Sequence, residues 1–214
     1  MKSSRQIPLR IAKLSAGLLL MALGVVSTAK AGLGISPIAS IPYVMELSFP
    51  LSLGIWTILF SLFLLGIQLL LYRFRVSPVL LLQLPISILF GLFTDGAMAI
   101  FGQFTPGTLP AQVLFLLTGC VLLALGVRLE TAASLAMLPG EATAQALTTV
   151  SGFSFGISKM LTDTAMVLCA AGISLALHGS IQGVGIGTVI AAISVGALCR
   201  LLSGASHASS PRSR

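Results

Sequence analysis

Charged residues are scarce in this sequence. Its 214 residues include twelve lysines and arginines but only five aspartates and glutamates, so 8% of the chain is charged, whereas soluble domains are usually about 25% charged. Hydrophobic residues make up 56%. One water-facing globule would have too little interior to bury this much apolar surface. The composition therefore predicts an integral membrane protein.

Sequence motifs for enzyme chemistry are also absent. The chain has no G-x-S-x-G turn, no phosphate-binding loop and no H-E-x-x-H motif. Its three cysteines, Cys120, Cys169 and Cys199, lie far apart in apolar segments without metal-ligand spacing. Such cysteines behave as small buried hydrophobic side chains. We therefore expect no enzymatic activity, no catalytic residue, no metal and no cofactor.

The net charge of +7 is not evidence for a nucleic-acid partner. Four of the twelve basic residues lie in the first thirteen positions, and two more lie in residues 203–214. Basic ends that flank membrane spans are ordinary topology signals. We expect the lipid bilayer to be a partner and nucleic acid not to be one.

Long uncharged stretches predict an all-α polytopic fold. They cover residues 51–72, 76–94, 96–127 and 164–199, and a spanning helix needs about 20 mostly apolar residues. The last two stretches are long enough to turn back once, at 102-GQFTPGTLP-110 and 178-HGSIQG-183. The alternation that is typical of membrane barrels is missing.

The N-terminus resembles a signal peptide that ends at 27-STAKA-31. An internal repeat argues against this interpretation. The segment 17-GLLLMALGVVSTAKAGLGISPIASIPYVMELSFPLSLGIWTIL-59 aligns without gaps with residues 119–161, at an offset of 102. The aligned A-L-G-V, Pro37 and Gly54 all recur at this offset. We interpret the chain as a duplicated unit. The first apolar segment is then a helix of the mature protein.

Each predicted unit has a long helix (12–31, 111–131), a short proline-initiated segment (37–48, 139–150) and two more long helices (51–72 and 78–101; 156–177 and 184–202). The predicted organisation is a basic cytoplasmic N-terminus (1–10), a first repeat (11–102), an extracytoplasmic loop (103–110), a second repeat (111–202) and a disordered cytoplasmic tail (203–214). Twelve helical residues cover roughly 18 Å, too little for a 30 Å hydrocarbon core. The short segments are therefore half helices that enter and return, or they span poorly.

Basic residues favour six spans over eight. With re-entrant short segments and a cytoplasmic N-terminus, eleven of the twelve basic residues are cytoplasmic and only Lys30 is outside. Three spans per repeat would invert the second repeat relative to the first, the layout in which transporters bind solutes near the membrane midplane. We expect a multi-pass protein of the bacterial inner membrane with both termini cytoplasmic.

Charges inside the second repeat mark the candidate site. Glu141 lies in the first turn of the short segment, and Lys159 and Asp163 are one helical turn apart. Structural roles are the alternative for all three, because a first-turn glutamate caps free N–H groups and an i,i+4 pair neutralises itself. The predicted substrate-binding residues, on two walls between the short helices, are Ser36, Pro37, Ser40, Pro139, Gly140, Glu141, Lys159 and Asp163.

A family resemblance covers residues 10–202. The runs 32-GLGISPIASIPY-43, 51-LSLGIWT-57, 138-LPGE-141 and 155-FGISKMLTD-163 resemble the YczE-like membrane proteins, which are relatives of the YitT group. The resemblance implies a membrane location and a permease-like fold. It also implies importance for the motif positions Gly34, Ser36, Pro37, Pro139, Glu141, Lys159 and Asp163, without any catalytic role.

Two functions remain open from the sequence. The first is a permease, or a substrate-binding membrane subunit, for a small polar solute that binds between the short helices. The second is a membrane scaffold or accessory factor that supports a partner protein and moves no solute. Self-association or a partner subunit is compatible with both.

Overall fold

The computed structural model describes residues 7–74 and 77–207, with the backbone alone for residue 200 and residues 202–207. The described chain is helical throughout, without a strand. Its helices are α1 (Ile7–Ala31), a 3-10 turn (Pro37–Ala39) that continues into α2 (Ser40–Ser48), α3 (Leu53–Leu71), α4 (Pro78–Phe101), α5 (Leu109–Ala133), α6 (Pro139–Ser151), α7 (Phe155–His178) and α8 (Ile186–His207).

Local chemistry explains most helix ends. The hydroxyl oxygens of Ser52, Ser77 and Ser154 accept the N–H three residues on and so cap α3, α4 and α7. At the C-terminal ends, Gly152 and Gly179 adopt the left-handed conformation that glycine tolerates best. The two turns predicted from glycine and proline lie where expected, between α4 and α5 and between α7 and α8.

Three helices extend beyond the predicted boundaries. Helix α1 begins at Ile7 and α5 at Leu109, because Pro8 and Pro110 fall in first turns, where a missing N–H is harmless. Helix α8 continues to His207, past the predicted end of the second repeat at residue 202. The remainder of the predicted cytoplasmic tail, residues 208–214, and most of the predicted N-terminal segment lie outside the described residues.

Within the described residues, five helices are long and apolar enough to cross a membrane, namely α1, α3, α4, α5 and α7. Helix α8 is apolar over Ile186–Cys199. Large apolar side chains cover the outside of the bundle, including Phe63, Leu92, Leu114 and Leu168, each at least 60% exposed. The chain is built as an all-α polytopic membrane protein.

Glycines allow α1 and α5 to pack antiparallel at close range. A methyl group on Gly17 would lie 2.9 Å from the carbonyl oxygen of Gly126, and one on Gly24 would lie 2.9 Å from that of Gly119. Further along, the Ser27 hydroxyl donates to the Phe115 carbonyl at 2.9 Å. As the residue number increases along α1, the number of its contact on α5 decreases, so the two helices are antiparallel. We call this contact the glycine seam.

Helices α3 and α4 form an antiparallel hairpin. Near one end, the Asp95 carboxylate accepts the Gly54 N–H and the Ser52 hydroxyl, each at 2.7 Å. Near the other, the side-chain amides of Gln68 and Gln83 exchange hydrogen bonds of 3.2 and 3.1 Å. The ammonium of Lys30, at the end of α1, donates to the carbonyl of Gly102, just after α4. We call this end of the bundle the Lys30 end and the opposite one the Arg73 end.

The two short helices begin against each other and extend in opposite directions. The Ile38 side chain fills the space where Gly140 would carry a methyl group. Ser48, the last residue of α2, lies with its hydroxyl 2.9 Å from His178 Nε2, at the Lys30 end. Val150, near the end of α6, lines one cleft together with Arg73. Both short helices therefore start inside the bundle.

The glycine seam predicts an asymmetry between two alanine substitutions. Gly24→Ala should destabilise the protein by about 1–3 kcal/mol, because the methyl group meets the backbone of α5. Gly66→Ala, on α3, is the control, since nothing lies within 4 Å of its added carbon. Thermal unfolding of the detergent-purified protein, followed by circular dichroism, measures both. Equal midpoints would contradict a close-packed seam.

Candidate functional site

The predicted charged residues of the second repeat come together. The Lys159 ammonium donates to the Asp163 carboxylate at 2.6 Å, which is the predicted i,i+4 pair. Both residues interact electrostatically with Glu141, which lies across from them in the first turn of α6 and is 7% exposed. Cys199 of α8 interacts with the same Glu141 and Lys159. Helices α6, α7 and α8 thus enclose one charged cluster.

Glu130 belongs to this cluster and was missed by the sequence analysis. It lies on the last turn of α5, is 1% exposed and interacts electrostatically with Glu141. Its Oε1 accepts the backbone N–H of Leu138, the residue before α6, at 2.6 Å. Glu130 therefore caps a helix start from outside that helix. Glu130 and Leu138 are eight residues apart and a turn separates them, so no sequence pattern predicts this contact.

Glu141 also lies at the start of α6, where free N–H groups attract negative charge. Its carboxylate approaches its own backbone N–H, as a first-turn glutamate does. Its other oxygen, Oε2, is buried and has no hydrogen-bond partner among the described residues, and the same holds for Glu130 Oε2. Two buried carboxylates therefore share one helix start.

The predicted site residues Ser36 and Ser40, from the first repeat, are uncharged. The Ser40 hydroxyl donates to the carbonyl of Pro37 at 2.6 Å and lies 3.5 Å from that of Met166 on α7. Ser36 directly precedes the 3-10 turn, but its hydroxyl caps no helix and is buried without a partner in the described part of the chain. Ser40 thus fixes the short helix to α7.

Little space remains between the starts of the short helices. A cavity of about 30 Å³ lies there, lined in part by Ile38, Pro139 and Gly140. That volume is close to the share of one water molecule. Pro139 and Gly140 line this small cavity, and Pro37 begins the 3-10 turn that leads into α2.

A larger cleft lies beside α6, at the Arg73 end. Its volume is about 670 Å³, and its walls are parts of α3, α4 and α6 together with Met137. The polar residues that line it are Gln68, Tyr72, Arg73, Ser77, Gln83 and Gln145. None of the eight residues predicted for the site lines this cleft, and the sequence analysis did not predict it.

Helix α6 separates the cleft from the charged cluster. Ala142 and Gln145 face the cleft, whereas Glu141 interacts with α5 and α7. Neighbouring residues of an α-helix point about 100° apart. At the floor of the cleft, the Gln68 amide also lies 3.2 Å from the carbonyl of Pro139 and 3.3 Å from the Thr143 hydroxyl. The start of α6 is therefore hydrogen-bonded to Gln68 of α3 on the cleft side and to Glu130 of α5 on the side of the charged cluster.

The capping role of Glu130 predicts a difference between two substitutions. Glu130→Gln keeps an oxygen that accepts the Leu138 N–H, whereas Glu130→Ala leaves that buried donor without a partner, at a cost of about 1–3 kcal/mol. We expect the alanine variant to be the less stable by this amount in denaturant titrations of the purified protein. Equal stability of the two variants would exclude a capping role.

Comparisons with known proteins identify a family but no function. No curated protein and no solved structure matches the chain. Residues 8–204 match the Family of unknown function (DUF6198), and this match spans all eight helices. The chain therefore belongs to the DUF6198 family.

Proposed function

We propose that this protein is a permease, or the substrate-binding membrane subunit of one, for a small polar solute that enters the cleft beside α6. The cleft is the observation that carries the proposal. Its volume of about 670 Å³ falls within the range of about 300–1,000 Å³ that is common for small-molecule sites. Within the described residues, six polar side chains line it, from the buried Gln68 and Gln83 to Arg73 near the mouth.

The character of the solute follows from the lining. Gln68, Gln83 and Gln145 offer amide donors and acceptors, and Arg73 offers a cationic guanidinium near the mouth. Apolar residues such as Leu71, Val79 and Leu80 supply the rest of the wall. No aspartate or glutamate of the described residues lines the cleft. This combination favours a neutral or anionic solute with several hydrogen-bonding groups.

The packing supports an inverted repeat. At an offset of 102, Gly17 corresponds to Gly119 and Gly24 to Gly126. The contacts of the glycine seam join Gly17 with Gly126 and Gly24 with Gly119, so exchanging the two halves reproduces the same pair of contacts. A two-fold axis between antiparallel units has this property.

Exchanging the two halves of the chain also reproduces the contact between the short helices. Ile38 and Gly140 are equivalent at this offset and touch each other, as residues beside such an axis do. Ser52 and Ser154 are equivalent and cap α3 and α7 in the same way. We therefore propose six spans, with α8 as the sixth, and two half helices that enter from opposite faces.

The distribution of basic residues gives the proposed orientation. Arg128 and Lys159 belong to the parts of α5 and α7 near α6, and Arg73 follows the end of α3 on the same side. The positive-inside rule places this end in the cytoplasm. The cleft then opens toward the cytoplasm, and Lys30 lies outside. The resemblance to YczE-like proteins agrees with this layout and remains part of the proposal.

The two halves differ in how tightly the half helix is covered. On the Lys30 side, the Ile35 N–H donates to the Gly183 carbonyl at 3.1 Å, and Tyr43 of α2 packs directly on Gly183. On the Arg73 side, the corresponding region holds the cleft. An inverted-repeat transporter that is open to one side has this asymmetry.

Ligand-induced stabilisation tests the proposal. Thermal unfolding of the purified protein is measured with free amino acids, monosaccharides, polyols and short carboxylates, and a solute that stabilises it is then tested for uptake into proteoliposomes. Gln145→Trp should fill the cleft and weaken binding at least tenfold, because its indole occupies the solute volume. Leu92→Trp, on the exposed outer face of α4 and outside the cleft lining, should bind normally.

Two outcomes would contradict the proposal. Equal binding by both tryptophan variants would place the solute elsewhere. Absence of binding and uptake for the whole panel would favour the alternative of a membrane scaffold that moves no solute.

A further inference from the structure

Within the described residues, the charged cluster around α6 holds more carboxylates than cations. The Lys159 ammonium interacts with the carboxylates of Glu141 and Asp163, and Glu130 is a third carboxylate, which interacts with Glu141. Full ionisation of these four groups would leave two negative charges among packed helices, where isolated charge is strongly disfavoured. Cys199 of α8, a further neighbour of Glu141 and Lys159, carries no positive charge.

The single positive charge of Lys159 faces both Asp163 and Glu141, so it balances only one of the three carboxylates. The Lys159 ammonium lies 2.6 Å from Asp163 Oδ1. Glu130 is tied to the Leu138 N–H on the far side of the α6 start. The α6 dipole and its free N–H groups supply partial positive charge, which is less than two carboxylates require.

One carboxylate oxygen of each glutamate lacks a hydrogen-bond donor. Glu130 Oε2 and Glu141 Oε2 are each buried, and no donor within the described residues reaches either. An ionised carboxylate is an acceptor only, so two of them cannot bond to each other. One added proton converts one of the pair into a donor and removes one of the two negative charges.

We propose that Glu130 and Glu141 together bind one exchangeable proton at the start of α6. Binding forms an O–H bond to one carboxylate oxygen while hydronium loses its proton and becomes water, and release reverses this step. A metal ion fits less well, since the described part of the chain holds no group of three histidine, cysteine, aspartate or glutamate side chains placed around one point.

The position of the pair gives the proton a role in transport. Glu141 lies on α6 with Ala142, which lines the cleft, as the next residue. A change of charge at Glu141 therefore acts on the helix that forms one cleft wall. Coupling of solute movement to a proton gradient rests on the proposed function, whereas the proton site itself rests only on the two carboxylates.

Infrared spectroscopy of the full-length protein in lipid tests the site without a solute. At neutral pH the wild-type protein should show the C=O stretching band of a protonated, buried carboxyl group. The band should disappear in both Glu130→Gln and Glu141→Gln, because each substitution removes the negative charge that favours protonation of the other carboxyl group. Asp95→Asn is the control and should keep the band, since Asp95 is bonded to Ser52 and Gly54 at the Lys30 end.

Three results would overturn the proposal. Persistence of the band in a folded glutamine variant would assign the proton to one carboxyl alone. Loss of the band in Asp95→Asn would assign it to another residue. A wild-type protein without the band, stabilised by sodium relative to choline, would show that a metal cation occupies the site. Circular dichroism checks that each variant is folded. Because the infrared measurement uses no solute, it tests the proton site even when the solute screen fails.

Discussion

The start of α6 inside the bundle is the constraint on which the rest of the structure depends. Backbone groups at membrane depth need partners from the protein, because the hydrocarbon core offers none. Proline at position 139 removes one free N–H, Glu130 accepts the N–H of Leu138, and Gln68 donates to the Pro139 carbonyl. Each partner comes from a different helix. The start of α6 is therefore stable only in a bundle that already places it beside α3 and α5.

The glycine seam provides that placement. A methyl group on Gly17 would lie 2.9 Å from the backbone nitrogen of Glu130, so the close approach of α1 and the position of the capping carboxylate are set together. The same seam keeps the two short helices opposed, with Ile38 against Gly140. Small residues have this function in membrane interfaces because apolar packing against lipid gives no driving force of its own.

Most of the helical architecture was predictable from the sequence. Apolar run lengths, serine caps and the glycine and proline turns gave eight helical segments close to those observed, because each signal is local. The ion pair of Lys159 and Asp163 was predictable for the same reason, since both residues lie on one helix.

The site was less predictable because its contacts are tertiary. Glu130 reaches Leu138 across a turn, and the cleft is formed where α3, α4 and α6 leave space, which no residue pattern encodes. Serines 36 and 40 were expected to face a solute, but hydroxyl groups also bond within and between helices, as that of Ser40 does. Between the short helices, Ile38 packs on Gly140 and leaves a cavity of about 30 Å³.

Cysteine labelling in intact cells tests the central claim, which is that the short helices enter from opposite faces. In a background with Cys120, Cys169 and Cys199 replaced by alanine, single cysteines replace Leu51, after α2, and Ser151, at the end of α6; both positions are exposed. We predict that an impermeant thiol reagent labels Leu51→Cys in intact cells and Ser151→Cys only after permeabilisation. Protection of both positions in intact cells would mean that α2 crosses the membrane, and it would contradict the inverted six-span layout.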